Sequence, residues 1–132
     1  MADAVASQTL QDGDKSVVMK FTNISDGSGE AAVKKVDVSA LQAQSGSGAA
    51  CTGVSIQCVW YECNGMSVDL LWDASTDILA WTLSGYGYFD FRSAGPLVNN
   101  ASSPTGDVMF TTTGHASGDR YTVMLKMGKS YE

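Results

Sequence analysis

Residues 68–83 near the middle of the chain, Val68-Asp-Leu-Leu-Trp-Asp-Ala-Ser-Thr-Asp-Ile-Leu-Ala-Trp-Thr-Leu83, constrain the fold most. Two short apolar runs, 68–72 and 78–83, flank the polar segment Asp73-Ala-Ser-Thr-Asp77. Runs this short, rich in tryptophan and branched side chains and joined by turn-forming residues, read as a β-hairpin. A helix through the same residues would carry Asp73 and Asp77 in its interior, where short polar side chains compete for backbone hydrogen bonds. The hairpin is therefore the expectation, with Trp72 in the core.

The rest of the chain repeats the pattern. Residues 16–24 alternate Val17, Met19 and Phe21 against Val18, Lys20 and Thr22, a half-buried strand. Valines favour a strand through Val36 and Val38 within 31–41. In 54–62, Val54, Ile56, Cys58 and Trp60 share one face, and Ser55, Gln57, Val59 and Tyr61 the other. Asn64-Gly65 reads as a two-residue turn into 66–72. In 85–91, Phe89 and Phe91 face inward with Gly87, and Tyr86, Tyr88 and Asp90 outward. Strands at 106–113 and 120–127 follow, the last with Tyr121, Val123, Leu125 and Met127 on one side. About eight antiparallel strands and no convincing helix, with 14 glycines and 2 prolines, predict an all-β chain. The architecture expected is a single β-sandwich, with a jelly roll as one form of it. The domain spans 16–132. Residues 1–15 are polar, with Val5 and Leu10 as isolated apolar side chains, and read as a flexible N-terminal arm. Asp26-Gly27-Ser28-Gly29-Glu30 reads as a turn rather than a calcium loop, because the full ladder of acidic ligands is missing. The longest loop, 93–105, holds Asn99 and Asn100, and long loops carry contacts.

Composition and motifs exclude more than they assign. Eight basic against fourteen acidic residues give a net charge of −6, the wrong sign for a phosphate-binding surface, so no nucleic acid is expected. The N-terminal residues lack a secretory pattern and no run is long enough for a membrane span, so synthesis in a cytosol with reduced thiols is expected. Cys58 and Cys63 have opposite parity, and Cys51, Cys58 and Cys63 read as small buried hydrophobes rather than zinc ligands. The single histidine, His115, lies in a glycine-flanked turn, and no serine or cysteine sits in a nucleophile elbow. Asp69, Asp73, Asp77 and Asp90 read as turn formers beside strands rather than a catalytic pair. No enzyme, cofactor or metal is expected. Trp60, Tyr61, Trp72, Trp81, Tyr86 and Tyr88 cluster in sequence; most are assigned to the core, with Tyr86 and Tyr88 as the surface candidates.

The run Trp72-Asp-Ala-Ser-Thr-Asp77, the aromatic stretch 85–91, Leu97-Val-Asn-Asn100, and Thr105-Gly-Asp-Val-Met-Phe-Thr-Thr-Thr-Gly114 with the later Tyr-Thr-Val-Met-Leu-Lys form a pattern of turns and strands over residues 53–127. The pattern resembles small virion structural proteins of tailed bacteriophages, marine and cyanobacterial ones especially. The resemblance implies a non-enzymatic virion component, made in the host cytoplasm, that decorates or cements a capsid, or serves as a head–tail or tail accessory part. Its implied partners are the major capsid protein or another virion protein, and further copies of itself in a homo-oligomer. It carries over no binding residue. The interface candidates come from the residues themselves: Val5 and Leu10 on the arm, Tyr86 and Tyr88 on the aromatic strand, Asn99 and Asn100 in the long loop. A carbohydrate-binding module using exposed aromatics is the other reading of the same features.

Overall fold

In the computed structural model the described residues are 4–13, 15–27, 29–44, 46–74, 76–93, 95–97, 104–114 and 116–131. They form β1 (Ala4–Asp12), β2 (Ser16–Ile24), β3 (Val33–Val36), β4 (Gly53–Ala74), β5 (Ile78–Asp90), β6 (Pro104–Thr113) and β7 (Arg120–Ser130), with one 3-10 turn at Val38–Ala40. The expected hairpin at 68–83 is present as the closed end of a much longer one. At that end the Asp77 carboxylate accepts a hydrogen bond from the Ala74 N–H, 3.2 Å. From there β5 follows β4 back from Trp72↔Ile78 to Cys58↔Asp90.

The other edge of β4 is divided. Its first half pairs with β7, down to Asn64↔Arg120. Its second half pairs with β6, from Ser67↔Thr113 onward. Beyond β7 lie β2 and β1, and beyond β6 lies β3. The sheet thus forks at residues 65–66 into two layers. Phe21 on β2 and Phe110 on β6 meet with ring centroids 5.1 Å apart, although β7 and β4 separate them in the sheet order. Only a sheet folded over on itself brings those rings together, so the chain is an antiparallel β-sandwich. Its core joins Val17, Phe21, Val123 and Leu125 of one layer to Val68, Leu70, Trp72 and Phe110 of the other.

The strand count differs from about eight for stated reasons. Asn64-Gly65 does not reverse the chain; Gly65, at φ 86°, lies inside β4. A Cβ there would strike the Asp119 carboxylate, so the site requires glycine on both counts. The runs expected at 78–83 and 85–91 are likewise one strand, β5. In the other direction, residues expected as a flexible arm supply β1, paired with β2 from Ala4↔Ile24 to Asp12↔Val17. The strand reads as an arm because it lies at the sheet margin, where polar side chains are tolerated on both faces. Its end is fixed by Lys129, whose fully buried ammonium donates to the Asp12 carboxylate (2.6 Å) and to the Gly13 and Gln42 carbonyls (2.8 Å each).

Two further expectations change. The strand through Val36 stops there, because Asp37 caps a 3-10 turn by accepting from the Ser39 N–H (3.0 Å), with Val38 buried in it. The Asp26-Gly27 turn carries the chain from β2 to β3 across the layers rather than closing a hairpin, since those strands are not paired. It delivers Glu30 into the interior. There the Glu30 carboxylate accepts from Tyr121 Oη (2.6 Å) and Asn23 Nδ2 (3.0 Å) and pairs with the buried Lys35 ammonium. The Glu30 N–H donates to Thr112 Oγ1, 2.8 Å.

Trp72 is 1% exposed, as the sequence predicts for a core tryptophan. Trp72→Ala is expected to cost about 3–5 kcal/mol, measured as the change in urea unfolding free energy against the unsubstituted chain. A cost near zero would place the indole outside the core.

Candidate functional site: an aromatic outer face

The site begins with one extra residue. Between Ile56↔Met127 and Cys58↔Lys126 the β4–β7 register shifts, and Gln57 is the residue left over. Its carbonyl accepts from the Phe91 N–H (2.8 Å), and Gly128 leaves the space its amide occupies: a Cβ there would lie 2.9 Å from Gln57 Nε2. Because side chains alternate with a period of two, such a bulge exchanges the faces of every residue beyond it. Val54, Ile56 and then Val59 line the core, while Cys58 and Trp60 turn outward. The expectation that Ile56 and Trp60 share a face is corrected by this bulge.

Registers on both sides of β4 then assemble rows across five strands of the outer face. One row reads Tyr88–Trp60–Met124–Lys20–Gln8. The next reads Tyr86–Glu62–Thr122–Thr22–Ala6, and the third Asp90–Cys58–Lys126–Val18–Gln11. Trp60 and Tyr88 stack with centroids 5.0 Å apart and planes 23° from parallel. Tyr86 is 83% exposed and Tyr88 47%. Trp60, Glu62, Tyr86, Tyr88 and Thr122 line a groove of about 520 Å³. A smaller hollow of about 140 Å³ lies at Ala6, Gln8, Lys20 and Thr22, at the far end of the same rows.

The opposite side of β5 explains why its aromatics are split. Tyr61 stacks on Phe89 (6.0 Å), and Trp81 meets Phe89 and Phe91 edge-on at 5.6 and 4.9 Å. Gly87, paired with Tyr61, has no side chain in the way of the phenol: a Cβ would lie 3.1 Å from Tyr61 Oη. Phe89 turns to the core side as expected but stays 41% exposed, because β5 is the margin of the sheet.

Two charges near the stack engage each other. Arg92 grips Asp90 with Nε at 3.0 Å and Nη2 at 2.8 Å, and its N–H adds a third bond at 2.9 Å. Those hydrogen bonds hold the Asp90 carboxyl far below the usual carboxylate range. The Tyr88 hydroxyl donates to Cys58 Sγ at 3.8 Å, which pushes its pKa up, with desolvation and the Asp90 charge adding to the effect. A neutral phenol and a neutralised carboxylate suit stacking and hydrogen bonding, not proton transfer at neutral pH. Among the described residues no three His, Cys, Asp or Glu side chains are grouped to hold a metal.

Of the candidates named from sequence, Tyr86 and Tyr88 lie on this face. Val5 and Leu10 lie on β1, at the other margin, 50% and 47% exposed. Val5 pairs with buried Asn23 and so belongs to the inner side, and Leu10 is the residue skipped in the β1–β2 register. Asn99, Asn100 and His115 lie outside the described residues. Sequence reasoning missed Trp60, Glu62 and Thr122 as neighbours of the tyrosines, and Lys20 as a member of the same row as Tyr88. Only strand pairing brings them together.

No protein-family model and no curated protein matches the chain. Among solved structures, a family 29 carbohydrate-binding module overlaps it with TM-score 0.42 and 8% identity, over 96% of this chain and 89% of that one. A mutant family 29 module, made to probe ligand recognition, gives TM-score 0.41 and 8% identity over 96% and 92%. Overlaps this loose leave function to be argued from the chain's own surface.

All three cysteines are buried, with Cys58 on the outer face and Cys63 in the core, as parity predicts. Burial, and after it the Glu62 charge, pushes the Cys63 thiol up to about 11. A thiol raised in this way is almost wholly protonated below that value, so iodoacetamide at pH 8 is expected to leave Cys63 unmodified in the native chain. Peptide mass mapping checks this, with a denatured sample as the fully alkylated control.

Proposed function

We propose that this β-sandwich is a non-catalytic glycan-binding module whose sugar site is the groove at Trp60, Tyr86 and Tyr88. The carrying observation is the stacked Trp60–Tyr88 pair on an outer sheet face, open to solvent and continued by the largely exposed Tyr86. A pyranose ring has an apolar C–H face and a rim of hydroxyls. The groove matches both, with aromatic walls for the first and Glu62, Thr122 and the Tyr86 hydroxyl for the second. In Trp60→Ala, retardation on polysaccharide gels is expected to fall at least about tenfold, or 1.4 kcal/mol, with thermal unfolding little changed because the indole lies outside the core cluster. Undiminished retardation would remove this groove from the binding mechanism.

A second reading has its own observation. Among the described residues β1 pairs only with β2 along its nine residues, which leaves its other edge unpaired there, with Val5 and Leu10 exposed beside it. Unpaired edges template pairing with another chain. Together with the resemblance to phage virion proteins, this supports docking of β1 on a capsid or sister subunit. In a Val5→Lys, Leu10→Lys double variant the fold is expected to survive while binding to particles stripped of this protein drops. Equal binding by both forms would exclude the β1 edge.

A further inference from the structure

We infer that the glycan taken by this face is an acidic polysaccharide, lying across the strands with its anionic groups on Lys20 and Lys126. The inference rests on the glycan reading above and names its ligand class. The two hollows sit at opposite ends of the same rows, β5–β4 at one end and β2–β1 at the other. Five adjacent strands at ~4.8 Å spacing put those ends about 19 Å apart, the reach of a short oligosaccharide running perpendicular to the strands.

The charge pattern along that line is uneven. Glu62 lies at the aromatic end, and the only other carboxylate in the rows, Asp90, is neutralised by Arg92. Lys20 lies on β2, toward the far end of the first row, and Lys126 on β7, in the middle of the third. Lys126 pairs with Val18, and Met124 pairs with Lys20, so the two lysines are diagonal neighbours on β7 and β2. Diagonal positions bring Cβ atoms to about 7–8 Å, within reach of one another for side chains this long. Both are half-buried against the sheet. Among the described residues the ion pairs belong to Lys34, Lys35, Arg92 and Lys129; Lys20 and Lys126 have none. In a chain of net charge −6, strand register has therefore set two uncompensated cations side by side, in line with an aromatic groove. A chain of sugars bearing carboxylates or sulfates complements both parts: rings on Trp60 and Tyr88, anions on the lysines, and none beside Glu62.

The test is affinity electrophoresis of the whole chain against polygalacturonate, dextran sulfate, galactomannan and a single-stranded oligonucleotide, repeated with Trp60→Ala and with a Lys20→Gln, Lys126→Gln double variant. The expected result is binding to at least one acidic polysaccharide about tenfold tighter than to galactomannan, lost at high salt and in the lysine variant. The first two probes separate carboxylate from sulfate. Trp60→Ala is expected to weaken binding of either kind. Binding to galactomannan alone, or equal acidic binding by the lysine variant, overturns this inference and leaves the glycan reading standing. Preference for the oligonucleotide overturns it too, making the lysines a phosphate site. Binding to no polysaccharide overturns both readings. Unchanged thermal unfolding of the lysine variant shows that its losses are not losses of fold.

Discussion

The architecture depends on what happens at Gly65. A strand of 22 residues cannot stay in one sheet layer and also line both sides of a core, so β4 must turn a corner without ending. It does so where β7 stops pairing at Asn64 and β6 starts at Ser67. The left-handed backbone of Gly65 bends the strand, and the Asp119 carboxylate occupies the space a side chain would need. Asp119 is in turn fixed by the Ala116 N–H at its Oδ2 (2.8 Å), and its carbonyl accepts from the Ser25 N–H (2.7 Å). The corner of β4, the turn before β7 and the exit from β2 are therefore one unit. Without that corner Phe21 and Phe110 would lie far apart in a flat sheet, and the core would not close.

Two buried polar clusters then secure the layers. Glu30 gathers Tyr121, Asn23, Lys35 and Thr112, which belong to β7, β2, β3 and β6. Lys129 ties the end of β7 to the β1–β2 turn and to the loop at Gln42. Burying charge is costly, and such clusters hold only when each group finds partners. Here Glu30 has a cation and two neutral donors at its carboxylate, and the Lys129 ammonium has three acceptors. Their effect is to select this pairing of elements over others, since a slipped register would leave an ion buried without its counterpart.

The outer face owes its chemistry to a similar departure from regularity. Without the bulge at Gln57, Trp60 would point into the sandwich and Val59 out of it. With it, an indole stacks on Tyr88 at the surface while the small valine fills the core. A second consequence is that Cys58, buried at 1% exposure, becomes the floor beneath the stack, where its sulfur receives the Tyr88 hydroxyl. The stack is thus held from below, and its upper edges face the groove. Holding aromatic side chains in one orientation before a ligand arrives reduces the entropy lost on binding.

Local alternation in the sequence determined the all-β class, the 73–77 turn, the buried series Val17–Met19–Phe21 and Tyr121–Val123–Leu125–Met127, and the outward tyrosines at 86 and 88, because each is a period-two pattern contained within a few residues. Lys20 and Trp60 were legible only as members of separate strands. Tertiary structure decided three things that no local pattern carries. Asn64-Gly65 has the residues of a hairpin turn, and it became a corner because β7 and β6 compete for the same edge of β4. Residues 4–12 have no apolar stripe, and they became a strand because β2 offered an open edge and Lys129 a buried partner for Asp12. The bulge at Gln57, which places Trp60 beside Tyr88 and in line with Lys20, is a property of two strands in register. One strand read alone has no register, so the site could not be seen until the strands were paired.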